Sequence, residues 1–286
     1  MNNACTVIPI HYPKFNYGYN LLKSYIKNCD VPLYFTFTTI EQMNLFLKNV
    51  NPNHIGKFSN IVLDQSLIDY KNIITVKKFY SVDVLSDTYQ YIAVFDSETL
   101  FVKPMNNYLI YKEIDESKFF KGNKRKSKTH LKDLATLMGY ENNDRLLEQT
   151  ENFSQYWWLN EICVYEKTKF KEFFKWYKTH KNYGKMQNEF FCFDYLIYSI
   201  WLICNKNYFI KKYATNITCN GALLETNYSD DNISYEFKSY QDRNINHENI
   251  EHIKVQIMLD RDIHHCYNVE GVRIYEHIDP DGRRGQ

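Results

Sequence analysis

Along the first hundred residues, short apolar runs alternate with segments whose apolar positions recur three or four residues apart. "CTVIPI" (5–10), "VPLYFTFT" (31–38), "NIVLD" (60–64) and "YIAVFDS" (91–97) are short and almost continuously apolar. They read as strands buried on both faces. Between them, "YNLLKSYIKNC" (19–29), "IEQMNLFLKNV" (40–50) and "ITVKKFYSVDVLSDT" (74–88) carry helical periodicity, and Thr38 or Thr39 stands ready to cap the second. Strand and helix in this rhythm predict a mostly parallel sheet flanked by helices. In such sheets ligands bind beyond the carboxyl ends of the strands.

The pattern changes after residue 105. "SKFFKGNKRKSKTHLK" (117–132) holds seven Lys or Arg residues and no acid, which predicts an open, solvated loop. "QYWWLNEICVYEK" (155–167) is strand-like and leads into "TKFKEFFKWYKTHK" (168–181), a helix for which Thr168 is the expected cap. "NEFFCFDYLIYSIWLIC" (188–204) is apolar nearly all round but short, and it carries Glu189 and Asp194, so it reads as a buried helix rather than a membrane span. Beyond residue 205 only short strands and loops are expected. The tail "DPDGRRGQ" (279–286) has too little apolar content to predict order.

Composition narrows the function classes. The chain has 286 residues, 44% of them hydrophobic, and lacks the run of roughly 18–20 apolar residues that a spanning helix needs. Lys and Arg (35) nearly balance Asp and Glu (34), which argues against a nucleic-acid binder working through a strong positive field. Seven scattered cysteines, with no Cys-x-x-Cys pair, predict reduced thiols in a cytoplasmic protein. The N-terminus shows no basic segment followed by an apolar core, in line with that location. The abundance of Lys, Asn, Ile and Tyr fits an AT-rich bacterial genome.

One short stretch carries the chemistry. In "YQYIAVFDSETLFVKP" (89–104) an apolar strand ends in Asp96-Ser97-Glu98 and is followed by another apolar run. On a strand, Asp96 and Glu98 project to one face and Ser97 to the other. Two carboxylates on one face repel, so a positive partner is expected between them.

An α/β first half, an apolar strand ending in Asp-x-Glu and the "LFVKP" after it resemble the nucleotide-sugar glycosyltransferases of the GT-A fold, whose Asp-x-Asp motif sits in this setting. Here Glu98 stands where the family has its second Asp, keeping the charge on a longer arm. The resemblance implies a Rossmann-like GT-A fold, α/β, with residues 1–105 as the nucleotide-sugar-binding half and 106–278 as the acceptor-binding half of the same domain. It implies that Asp96 and Glu98 hold Mn2+ or Mg2+, hard ions that prefer oxygen ligands, and that Ser97 lies in the donor site. A late histidine, His264 or His265 in "LDRDIHHCYN", is the expected third ligand. Ile8, Pro9 and Ile10 are expected to floor the nucleotide pocket, with His11 and Tyr12 against the base. One of Lys77 and Lys78 is expected to reach the donor. Trp158 is expected to offer a flat face to a sugar ring, with Asn160 beside it. Glu189, Asp194 and Glu161 are the candidate catalytic carboxylates, Glu189 being favoured because the helix start opens onto the cleft.

The implied reaction is hexosyl or N-acetylhexosaminyl transfer from a nucleotide-diphosphate sugar, expected to be a UDP-sugar, to a bacterial surface glycan such as lipooligosaccharide or capsule, by inversion or retention. The basic segment would suit an anionic glycolipid acceptor or peripheral contact with the inner membrane. Two alternatives stand beside it. A nucleotidyltransferase would carry a Gly-rich basic loop after the first strand, where this chain has "HYPKFNYGYN". A non-catalytic carbohydrate-binding protein would keep the fold without turnover.

Overall fold

The computed structural model describes residues 3–12, 15–97, 99–101, 118–122, 127–153, 156–159, 163–208, 211–212, 266–269 and 272–277. In the first part, β1 (Ala4–Pro9), α1 (Phe15–Asn28), β2 (Leu33–Phe37), α2 (Ile40–Lys48), β3 (Ser59–Val62), α3 (Ile73–Leu85) and β4 (Tyr91–Val94) follow one another as the apolar pattern predicts. The chain continues through β5 (Thr99–Leu100), β6 (Lys118–Gly122), α4 (Ser127–Met138), α5 (Asp144–Gln149), β7 (Tyr156–Leu159) and β8 (Cys163–Glu166). It then forms α6 (Lys167–Thr179), α7 (Tyr183–Met186), α8 (Asp194–Lys206), β9 (Lys211–Lys212), β10 (Cys266–Val269) and β11 (Val272–His277).

The central sheet has the order β3-β2-β1-β4-β8, parallel across its first four strands and antiparallel at β8. Progression from β1 to β2 to β3 runs one way, and β4 lies on the other side of β1. The order therefore reverses between β1 and β4, the place where open α/β sheets form their ligand crevice. β8 comes from the second half of the sequence and completes the sheet beside β4. Two smaller three-stranded sheets, β10-β11-β5 and β7-β6-β9, account for the other strands described.

Strand periodicity divides the interior in two. Ala4 and Ile8 of β1, with Ala93 and Phe95 at β4, pack under α1 and α2 against Leu21, Leu22, Phe35 and Phe46. Cys5, Val7, Ile92 and Val94 point to the opposite core, built from α3, α6 and α8. Each strand feeds both cores, which is why the strands read as continuous apolar runs. The second core is largely aromatic: the Phe79 ring lies 5.1 Å from that of Tyr177 and 5.3 Å from that of Phe173. Such pairs add about 0.5–1.5 kcal/mol each beyond the area they bury.

Three local expectations need correction. α6 is capped by Glu166 rather than Thr168; its two carboxylate oxygens accept from the N–H groups of Thr168 and Lys169, each at 3.0 Å. A carboxylate one residue before the helix satisfies two orphan donors, whereas the Thr168 N–H is itself one of them. The basic segment is not an open loop throughout, since β6 pairs with the aromatic β7 and α4 begins at Ser127. The apolar run 188–204 becomes helical only at Asp194, because residues 187–192 form turns tied to the start of α3. Thr39 does cap α2, accepting from the Gln42 N–H at 3.3 Å. The tail 279–286 lies outside the described residues. Among the described residues, no helix is long and apolar enough to cross a membrane.

Glu166 also accepts from Gln90 Nε2 at 2.6 Å, joining the cap of α6 to the turn before β4. Glu166→Ala is expected to lower unfolding stability by about 1 kcal/mol, as loss of a helix cap does. Urea denaturation checks it; an unchanged midpoint would show that water replaces the cap.

Candidate active site at the strand-order reversal

The positive partner that Asp96 calls for comes from α3. Val94 faces the α3 core, and two residues further along the same face the Asp96 carboxylate meets the Lys78 ammonium at 2.8 Å. Lys78 also reaches Asp194, the first residue of α8, at 3.1 Å. The other oxygen of Asp194 accepts from the Tyr165 hydroxyl at 2.7 Å, from β8. The side chains are graded in exposure: 4% for Asp194, 12% for Lys78 and 39% for Asp96. Burial by itself would push the Lys78 pKa down, yet Asp194 and Asp96 together hold it above the usual lysine value. Lys78 is therefore a fixed cation.

One ammonium against two carboxylates leaves a net negative charge in the cluster. Glu98, which lies outside the described residues, adds another in sequence. Asp96, half-open and with hard oxygen donors, is chemically suited to a divalent cation. Among the described residues no three His, Cys, Asp or Glu side chains gather into a metal site. Of the expected ligands, Glu98, His264 and His265 lie outside the described residues. The backbone does bring the C-terminal strands to the motif, for β11 pairs with β5 and places His277 opposite Thr99.

Lys77 and Lys78 are adjacent on α3 but go separate ways. Lys77 is fully buried, and its amine donates to the Ile10 carbonyl, just past β1, at 2.5 Å. Burial pushes its pKa down to about 7. Of the two lysines, Lys78 faces the opening and Lys77 braces the strand beside it.

On the β1 side, Ile8, Pro9 and Ile10 are buried, and Ile8 and Ile10 belong to the core under α1. Ile8 and Ile10 are therefore interior wall rather than an accessible pocket floor, because strand alternation turns them towards α1. His11 and Tyr12 remain accessible; Tyr12 is 61% exposed, and its ring stands edge-on to Phe15 at 5.9 Å. Ser97 is buried. Trp158 lies on β7, in register with Phe120 of β6, while Asn160 and Glu161 fall outside the described residues.

Glu189 and Asp194 do not share a helix. Glu189 is exposed on the turn before α8, and its backbone carbonyl accepts from Asn72 Nδ2 at 3.2 Å. The same amide nitrogen and Thr75 Oγ1 hold the Cys192 carbonyl, at 2.8 and 3.0 Å. This turn is thereby pinned to the start of α3, and Asp194, rather than Glu189, is delivered to Lys78. Tyr165 was missed at the sequence level. A signal for the lysines was present: α3 is apolar on every side, so a lysine within it needs an internal partner.

No protein-family model matches this chain, and no curated protein matches it. Among solved structures it is similar to core-mannan synthase A from Aspergillus fumigatus, described in a Mn/GDP form, with TM-score 0.42 and 13% identity over 71% of this chain and 70% of that one. It is also similar to the mannosyltransferase Ktr4p from S. cerevisiae, with TM-score 0.33 and 9% identity over 68% of this chain and 62% of that one.

Two outcomes follow from these geometries. Lys78→Met leaves Asp194 buried without its counter-ion and is expected to cost about 3–5 kcal/mol. A double substitution with Asp194→Asn should recover much of that loss in chemical denaturation; simple additivity would show the pair to be uncoupled. For Lys77, the folded-state pKa near 7 lies below the ordinary lysine value, so the unfolded chain binds more protons between about pH 7 and 10. The stability of the natural chain relative to Lys77→Met should therefore rise with pH across that window and level off below it. A flat difference would place the Lys77 amine in water.

Proposed function

We propose that this chain is a metal-dependent glycosyltransferase that moves a sugar from a nucleotide-diphosphate donor to a glycan acceptor. The observation that carries the reading is the Lys78 ammonium shared by Asp96 and Asp194 at the strand-order reversal. In this reading His11 and Tyr12 meet the base and ribose beyond β1, and the diphosphate lies towards Asp96 beyond β4. Asp96 and Glu98 hold the divalent ion, with His264, His265 or His277 as the candidate third ligand. When bound, that ion stabilises the charge developing on the leaving diphosphate. Lys78 supports the same charge from the protein side and keeps Asp96 in place.

In this reading Asp194, rather than Glu189, is the carboxylate that serves the transfer, through the Lys78 ammonium it holds. It is oriented by Tyr165 and Lys78, whereas Glu189 stands in solvent. UDP is the proposed nucleotide, and the acceptor is proposed to be a bacterial surface glycan such as lipooligosaccharide or capsule. Trp158 and Asn160 are proposed on the acceptor side, with Glu161 as the remaining candidate carboxylate. The basic stretch around Lys124, Arg125 and Lys126 is proposed to meet an anionic glycolipid or the inner membrane.

The nucleotidyltransferase alternative is disfavoured by the segment after β1. Its glycine, Gly18, lies inside α1, where an added Cβ would meet Ile10 Cδ1, and so is not part of a phosphate-cradling loop.

Thermal shifts with UDP and GDP, each with Mn2+ or with EDTA, test the donor reading. A nucleotide bound only by the folded protein stabilises it by RT ln(1 + [L]/Kd), about 2.7 kcal/mol at a hundredfold excess over Kd. The expected result is a large shift with UDP and Mn2+ and a small one with EDTA; equal shifts would remove the metal bridge. For the carboxylates, Asp194→Asn should lower kcat about 100-fold with donor affinity kept, and Glu189→Gln should leave turnover nearly intact. The opposite pattern in folded variants would exchange the two roles.

A further inference from the structure

Ile10 is fixed from three directions. Its N–H donates to the Thr36 carbonyl of β2 at 3.0 Å, and its side chain fills the space over Gly18 of α1. Its carbonyl takes the Lys77 amine at 2.5 Å, from a side chain with no exposed surface. A lysine in the apolar middle of α3 is an expensive way to satisfy one carbonyl, since an amine must be desolvated for a single hydrogen bond. Ordinary core packing would be met by Met or Leu at that position. What the amine adds is a fixed position for the peptide between Ile10 and His11. Directly after this anchored peptide the chain emerges at His11 and Tyr12.

The neighbouring residue gives the anchor its geometry. Lys78, one step along the same helix, holds Asp96 on the far side of the crevice. Consecutive residues of α3 thus fix the two walls of the crevice, one at the end of β1 and the other at the end of β4. We propose that Lys77 is a positioning residue for nucleotide recognition, its buried amine holding the Ile10 carbonyl so that His11 and Tyr12 are set to receive the base and ribose of the donor. This rests on the donor-binding reading above. Lys77 touches no substrate itself. It acts through the backbone it holds, so its effect falls on the base and ribose half of the ligand and spares the diphosphate half at Asp96.

Two probes separate those halves: UDP and inorganic pyrophosphate, each titrated with Mn2+ by calorimetry. Lys77→Met keeps the aliphatic stem and removes the amine, and Lys77→Gln keeps a donor on a shorter arm. Lys77→Met is expected to weaken UDP at least tenfold and pyrophosphate less than twofold, with a single cooperative unfolding transition retained. Lys77→Gln is expected to recover part of the UDP affinity. Unchanged UDP affinity in Lys77→Met, or equal weakening of both probes, overturns the positioning role while leaving the donor reading in place. If the natural chain binds neither probe, the donor reading fails and this inference falls with it. Should Lys77→Met not fold, Lys77→Gln decides: UDP affinity equal to that of the natural chain overturns the proposal, and a selective loss of UDP over pyrophosphate supports it.

Discussion

The ammonium of Lys78 is the group on which the site depends. Without it, α8 would begin with a carboxylate buried against Tyr165 and facing a second carboxylate at the end of β4. Like charges at that distance in a partly dry environment cost several kcal/mol, and desolvation adds to the cost. With it, three elements distant in sequence converge on one nitrogen: β4 through Asp96, α8 through Asp194 and α3 through Lys78 itself. Attraction in so dry a place does not by itself guarantee stability, for a well-packed apolar trio would hold the elements together too. What the charged cluster provides is a defined arrangement of oxygens at the mouth of the crevice.

α3 is the element that makes this possible. It packs across β1, touching β2 on one side and β4 on the other, with Val76, Phe79, Val82 and Leu85 buried. Its start is secured to the 187–192 turn by Asn72 and Thr75, which spend their side chains on the Glu189 and Cys192 carbonyls. That arrangement sets where α8 begins and so which carboxylate enters the site. A local hydrogen-bond choice at the head of one helix thereby selects a chemical group on another.

The alternation of short apolar runs with helical periodicity was enough to read the central sheet, because strands buried on both faces and amphipathic helices leave distinct patterns. The placement of Asp96 at the crevice followed from the same pattern, since strand parity alone puts residues 92, 94 and 96 on one face. What could not be read were contacts decided by three-dimensional packing. A helix over 188–204 fits the apolar run, yet Asn72 and Thr75, more than a hundred residues earlier, hold residues 189–192 in a turn. The position of Ile8 and Ile10 just before His11 suggests a pocket floor; their parity turns both towards the core under α1 instead, with Ile10 against Gly18. The Glu166 cap was hidden because Thr168 is the more usual capping type, and the choice rests on where β8 ends.

The gradient of exposure across the cluster shows how a charged site can be both rigid and receptive. At its dry end, Asp194 has each oxygen committed, one to Lys78 and one to Tyr165. At its wet end, Asp96 keeps enough exposed surface to meet an incoming ion. A cation arriving there would weaken the hold of Asp96 on Lys78 but not that of Asp194, so the ammonium would stay where it is and turn its remaining donors towards any anion the ion brings with it. On the proposed reading that anion is a diphosphate. The buried carboxylate then serves to keep a positive charge in the site at the moment its other partner is drawn away.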